Sequence, residues 1–289
     1  MNKKRLKNKI FILSLVVLLT IGATAAFLSS RDNAENWFTV AKVDLDLTEK
    51  FDENRTLAAG EKITKEPSVK NTGTTNQLFI ATVCVPVMTT TLVDSNGERI
   101  APKGLTVTAE TTAAEFRQKA EIFNLLSDKT DDSSNPAAEI SHKDPDNPTE
   151  PADPKYGTFT YNDPASNNNG EGWYFLQQGD SFTVSDENKV KGFQNGEYNT
   201  YIFAYNAWVA PGASTIPIFN KLQLRNMIDG EIPGDTLSQV NVKAYTIQAN
   251  ELKIDGLSGN GSNGTYYTAE DLKEIYKVIE NKENTAEGE

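Results

Sequence analysis

The sequence predicts an all-β protein, an antiparallel, jelly-roll-like β-sandwich with one or two peripheral helices and an inserted acidic loop. Three observations lead there. Short apolar or alternating segments recur along the chain, separated by Gly, Asn, Asp and Pro turn signals. Helical periodicity shows in only two places. A polar, Asp- and Pro-rich stretch without any period interrupts the pattern in the middle. Many short strands and few helices suit packed antiparallel sheets, a sandwich or jelly roll.

The chain opens on an export signal. Lys3, Lys4, Arg5, Lys7 and Lys9 are its positive region, Ile10 to Ile21 its apolar region, and Ala23-Thr24-Ala25 a small-x-small cleavage site before Ala26. No stop-transfer pattern follows, so secretion is expected rather than anchoring. Residues 26–36 then form an N-terminal arm. Trp37 to Glu49 alternates, with Val43, Leu45 and Leu47 opposite Lys42, Asp44 and Asp46, the pattern of a half-buried strand. Leu57 to Gly60 is a loop, and Ile63 to Val69 a short strand that Pro67 assigns to an edge or bulge.

After the turn Asn71-Thr72-Gly73, Leu78 to Val87 is apolar on both faces, so it is expected as a central, doubly covered strand. Asp94-Ser95-Asn96-Gly97 is a turn. Thr112 to Leu126 shifts to helical spacing through Phe116, Ala120 and Phe123, with Thr112 and Glu115 as a capping box. Ser127 to Pro154 is read as a solvated, mobile loop. Aromatic strands follow at Tyr156 to Tyr161, Gly172 to Leu176, Asp180 to Ser185 and Tyr198 to Val209. A Pro211-Gly212 turn leads to a strand over Thr215 to Phe219, and Val240 to Ala249 is the last strand of the core. Past the loop Gly256 to Gly264, Thr268 and Asp271 cap a short helix with Leu272, Ile275 and Ile279 on one face. The domain plan is therefore a signal peptide (1–25), the arm (26–36), a β-sandwich (37–255) with an insertion around 110–200, and a C-terminal loop, helix and acidic tail (256–289).

Charge narrows the partners. The leader holds five of the 28 lysines and arginines and none of the 40 carboxylates, so the mature chain carries 23 cations against 40 anions, near −17. Such a surface argues against nucleic acid and anionic membranes. With 25 of 289 residues removed, 264 remain, enough for a substantial core. The single cysteine, Cys84, sits between Val83 and Val85 and reads as a buried small hydrophobe, so no disulfide framework is available.

The residues do not spell out catalysis. There is one histidine, His142, in the polar loop, and it is expected in solvent; H-E-x-x-H cannot be written, and no nucleophile elbow, Walker A or dinucleotide motif is present. The chain is read as a non-enzyme without a cofactor or metal. Asp128, Asp131, Asp132, Asp144, Asp146 and Asp153 could offer oxygen to Ca²⁺, but their spacing matches no EF-hand. Trp173, Tyr174, Phe175, Tyr198, Tyr201, Phe203, Tyr205 and Trp208 alternate within strands and read as core rather than a sugar platform.

Several blocks together resemble a known group. Ala23-Thr24-Ala25 before Ala26-Phe27, then Asn36 to Val40 and Val43 to Leu47, resembles exported proteins processed by the SipW-type signal peptidase. Gly60 to Gly73, Leu78 to Ile80 with Val85-Pro86, Trp208 to Phe219, and Ala244 to Ala249 are similar to further blocks of that group, the BsaA-like biofilm matrix proteins related to TasA and camelysin. The resemblance implies a secreted jelly-roll subunit that self-associates into extracellular matrix fibres, with the signal peptidase and other matrix proteins as partners. It also implies that the mature N-terminal segment inserts as a strand into the next subunit. On this chain that arm is Ala26 to Asn36, with Phe27 and Leu28 as anchors, and a strand offered to an open sheet edge forms a main-chain ladder. The alternative is a secreted hydrolase, after the protease label of camelysin relatives, or a glycan-binding sandwich.

Export fixes the first test. N-terminal sequencing of protein from culture medium should read from Ala26, and a start well upstream of Ala23 would refute the cleavage assignment.

Overall fold

The computed structural model describes residues 58–190, 193–228, 230–231, 239–248, 254–262 and 265–286. The signal peptide, the arm and the Trp37–Glu49 strand lie outside the described residues. The described residues form ten strands: β1 (Lys62–Thr64), β2 (Gln77–Thr91), β3 (Arg117–Glu121), β4 (Phe123–Leu126), β5 (Ala138–Glu139), β6 (Thr160–Tyr161), β7 (Trp173–Val184), β8 (Gly196–Tyr205), β9 (Lys221–Leu224) and β10 (Asn241–Gln248). One α-helix, α1 (Ala269–Ala286), follows them among the described residues. The protein is thus mostly β, and every paired strand is antiparallel to its neighbour.

The larger sheet runs β10-β2-β8-β7, with β3 continuing the β10 side of β2. Val87 pairs with Glu197 of β8 and with Glu121 of β3, which places those strands on opposite edges of β2. Pro86 has no N–H to donate, and it falls where β2 changes partner, since β10 ends opposite Cys84 and β3 begins opposite Val87. A three-stranded sheet, β1-β9-β4, and the two-stranded β5-β6 complete the pairing.

Strand period two explains how these elements stack. Phe79, Ala81, Val83 and Val85 of β2 point to one side and join Phe123, Leu125, Tyr201, Phe203 and Leu222 in the main core, which both sheets share. Leu78 and Ile80 point to the other side, where Leu272, Ile275 and Ile279 of α1 cover them. Cys84 continues that face into a small cluster with Val184 and Tyr198. β2 is the doubly covered strand that its composition predicts.

The helix expected over Thr112 to Leu126 is not formed. The Thr112–Glu115 local bonds do exist, with the Glu115 carboxylate accepting from Thr112 N–H at 2.7 Å and Oγ1 at 2.8 Å. They hold only one 3₁₀ turn, Ala113–Phe116, before the chain becomes β3 and β4. The reason is tertiary: β3 completes a ladder along β2, and Ile122, Phe123 and Leu125 enter the core.

The Ser127–Pro154 segment is packed in part rather than solvated throughout. Ile140 is buried, and β5 pairs with β6. Asp180–Ser185 and Gly172–Leu176 are one strand, β7, with register shifts at Phe175/Gln177 and Gly179/Phe182. Thr215–Phe219 is not a strand but an extended strap held by Thr215 N–H to Val69 O and Ile218 N–H to Pro67 O. β9 has no counterpart in the sequence reading, and part of the 110–200 stretch set apart as an insertion builds the sheets, supplying β3, β4, β7 and half of β8. Of the eight aromatics named above, Trp173, Tyr198, Tyr201, Phe203 and Tyr205 are buried in the core, and Tyr174, Phe175 and Trp208 are partly buried against it.

Both faces of β2 should matter to stability. Phe79→Ala, on the shared core, is expected to cost about 3–5 kcal/mol and Leu78→Ala, under α1, about 2–5 kcal/mol by denaturant unfolding. A Leu78 variant as stable as wild type would mean that α1 does not fold as part of this core.

Candidate functional site

The predicted processing residues Ala23, Ala25 and Ala26, and the arm residues Phe27 and Leu28, lie outside the described residues. Three of the six acidic-loop aspartates form ion pairs: Asp128 meets Lys221 at 2.6 Å, Asp132 meets Lys129 at 3.1 Å, and Asp153 meets Lys155 at 3.4 Å. Among the described residues no group of three His, Cys, Asp or Glu side chains is placed to hold a metal ion. Cys84 is buried, and desolvation pushes its thiol up to about 12.

The residues that do converge sit where β3, β8, β9 and the Pro154–Thr158 segment meet. Glu121 ends β3 and is 2% exposed. Its Oε1 accepts from Tyr201 Oη at 2.5 Å and Asn199 Nδ2 at 2.8 Å, and its Oε2 accepts from Gly157 N–H at 2.8 Å. Burial raises the carboxyl above the usual carboxylate range, against the pull of these donors and of Arg225. Removing one of those donors would expose a buried acceptor to the full cost of desolvation.

Arg225 follows β9 and fixes the other side. Its Nη1 donates to Glu121 O at 2.9 Å and Lys155 O at 3.5 Å, and its Nη2 donates to Pro154 O at 2.8 Å. Gly157 is needed between these groups, because a Cβ there would stand 2.2 Å from Phe123 O. The arrangement pins the end of the acidic loop against the sheets.

His142, expected in solvent, is placed differently. It is half-buried rather than solvated, its ring stacked on Tyr156 at 4.2 Å and edge-on to Tyr201 at 5.8 Å. Its Nε2 is buried and has no hydrogen-bond partner among the described residues. Desolvation lowers its pKa from 6.5 to about 4, opposed by Asp153. The imidazole is therefore neutral at pH 7 and serves as a packed ring.

Beside this network lies a cavity of about 220 Å³, between the Leu92–Ile100 hairpin and the outward, polar side of β4 and β9. Asn124 Nδ2 donates to Gln223 Oε1 at 3.2 Å, Thr158 N–H donates to Asn124 Oδ1 at 2.9 Å, and Gln223 Nε2 donates to Gly60 O at 3.1 Å. Arg225 and Asn226 complete its polar wall. A site of this kind can hold and orient a polar ligand. The alternation Lys221-Leu222-Gln223-Leu224 carries the signal from which β9 could be read, but nothing local marks Glu121 or Arg225 as partners. No family model, curated protein or solved structure matches the chain.

The His142 environment makes stability depend on acid. Folding depresses its pKa, so the contribution of the neutral ring is complete above pH 6.5 and is lost as pH falls through about 4. Glu121, with its raised carboxyl, acts with the opposite sign, so the comparison must isolate the histidine. His142→Phe keeps a stacking ring without the charge, and its Tm should fall less than that of wild type between pH 6.5 and 4. Equal falls would refute the role given to His142.

Proposed function

We propose that this chain is a secreted structural subunit of extracellular biofilm-matrix fibres, built as a jelly-roll-like β-sandwich and joined to its neighbours by strand donation. Processing by a SipW-type signal peptidase would release Ala26 as the mature start, and other matrix proteins are further partners. The role requires no catalytic step. The observation that carries the reading is the pair of terminal strands on one flank. β10 ends the path of the larger sheet and keeps unbroken register with β2 over eight residues, while β1 ends the smaller sheet. Lys65, just after β1, donates from Nζ to Val240 O, just before β10, at 2.7 Å, so the two ends are adjacent.

At the opposite end of the larger sheet, β7 carries two register shifts, which twist an edge away from further pairing. A regular terminal strand is the better template for an added one. The blocks that carry the family resemblance support the reading as well, because Gly60–Gly73 contains β1 and Ala244–Ala249 overlaps β10.

Deleting residues 26–36 should leave a folded protein by circular dichroism and abolish polymer growth by light scattering. The acceptor strand would lose its main-chain partner and the Phe27 and Leu28 anchors. Fibres of equal length from the folded, truncated protein would overturn strand donation by this arm.

A further inference from the structure

We infer that the cavity beside Arg225 is a binding site for a uronate-type sugar, a single polyhydroxylated ring that bears a carboxylate. This goes beyond the fibre role and does not depend on it. The argument begins with the guanidinium. Three backbone carbonyls, those of Glu121, Pro154 and Lys155, hold it in place through Nη1 and one N–H of Nη2. Its Nε–H and second Nη2–H meet no protein acceptor among the described residues. Glu121 acts on it only through space, since both carboxylate oxygens are taken by Tyr201, Asn199 and Gly157.

A fixed, planar cation with two donors to spare matches a carboxylate, which it can grip through two parallel hydrogen bonds. Holding the fork in advance removes most of the ordering cost that a surface arginine would incur. The rest of the wall selects among carboxylates. None of the residues lining the cavity is Asp or Glu, so an ammonium group would find no counter-ion and a zwitterionic amino acid is disfavoured. Asn124, Gln223, Asn226 and Thr158 bring amides and a hydroxyl, and the Asn226 side chain makes no hydrogen bond to the described protein. Such groups suit ring hydroxyls. Val93 and Ile100 add a small apolar part to a wall that is mainly polar. The volume, about 220 Å³, equals roughly seven waters of liquid, enough for one ring.

Gly60 lines the cavity next to Asn226. Its φ is +79°, and a Cβ at this position would approach Asn226 Oδ1 to 3.2 Å. Asn226 is tied into the fold through its backbone, whose carbonyl accepts from Val93 N–H at 3.1 Å, so its side chain can be changed without undoing that bond.

Titration of the purified mature chain followed by NMR tests the inference, with sodium D-glucuronate, D-glucose, glycine and sodium acetate as probes. Glucuronate should shift Asn226, Gln223 and Thr158 amides with a Kd near about 1 mM, the scale expected for a ligand of this size. Glucose, which lacks the carboxylate, and acetate, which lacks the ring, should each bind at least about tenfold more weakly, and glycine should not bind. Arg225→Lys keeps the charge but loses the fork and should weaken glucuronate about tenfold. Asn226→Leu, which leaves Arg225 and its carbonyl partners in place, should weaken it about threefold and serves if the arginine variant does not fold. The inference falls if glucuronate gives no saturable shift by 50 mM, if glucose or acetate binds as well as glucuronate, or if the folded variants bind as wild type does.

Discussion

β2 is fifteen residues long and apolar on both faces, and the rest of the molecule is arranged to keep both faces from water. Each large side chain on it contributes about 1.5–3 kcal/mol only if the opposing surface is also apolar and close-packed. On one side that surface is the β1-β9-β4 sheet, whose strands are too short to stand alone. On the other it is α1, whose Leu272, Ile275 and Ile279 lie at helical spacing over Leu78 and Ile80. Leu176 of β7, Ile202 and Ala204 of β8 and Ile247 of β10 share that cluster, so the helix covers the sheet across several strands.

The polar groups buried in the structure act as pins between elements distant in sequence. Glu121 joins β3 to β8 and to the Gly157 backbone, and Arg225 joins the end of β9 to three carbonyls from two other segments. Asp271 does the same for the C-terminal end, its carboxylate accepting from the N–H groups of Ser258, Gly259 and Thr268 at the start of α1. Buried charges such as Glu121 add little net stability, because desolvation offsets their bonds. What they add is position. They decide where the acidic segment ends and how the polar side of β4 and β9 is walled.

The two readings of function use different parts of the surface. Strand exchange needs a regular terminal strand and a segment to lay along it, and the β1–β10 flank offers the former. Ligand binding needs a fixed charge and converging amides, and the outward side of β4 and β9 offers those. A matrix subunit that held acidic sugar units at one site while polymerising at another would couple fibre and polysaccharide, and Gly60 and Gln223, next to β1 and on its partner β9, place the two sites close together.

The sequence by itself determined the all-β character, the doubly covered β2, the C-terminal helix with its Thr268 and Asp271 cap, and the burial of Cys84 and the strand aromatics. All of these are written in short-range periodicity and local capping chemistry, which act between residues a few positions apart. Only the tertiary structure decided that Arg117–Leu126 is strand, since its helical spacing was outweighed by a ladder along β2 about thirty residues earlier. Likewise only the fold placed His142 on Tyr156, and brought Glu121 to Tyr201 and Arg225 across separations of 80 and 104 residues. A carboxylate's partner eighty positions away leaves no mark on its own neighbours, because burial and hydrogen bonding belong to the assembled space and not to the local chain.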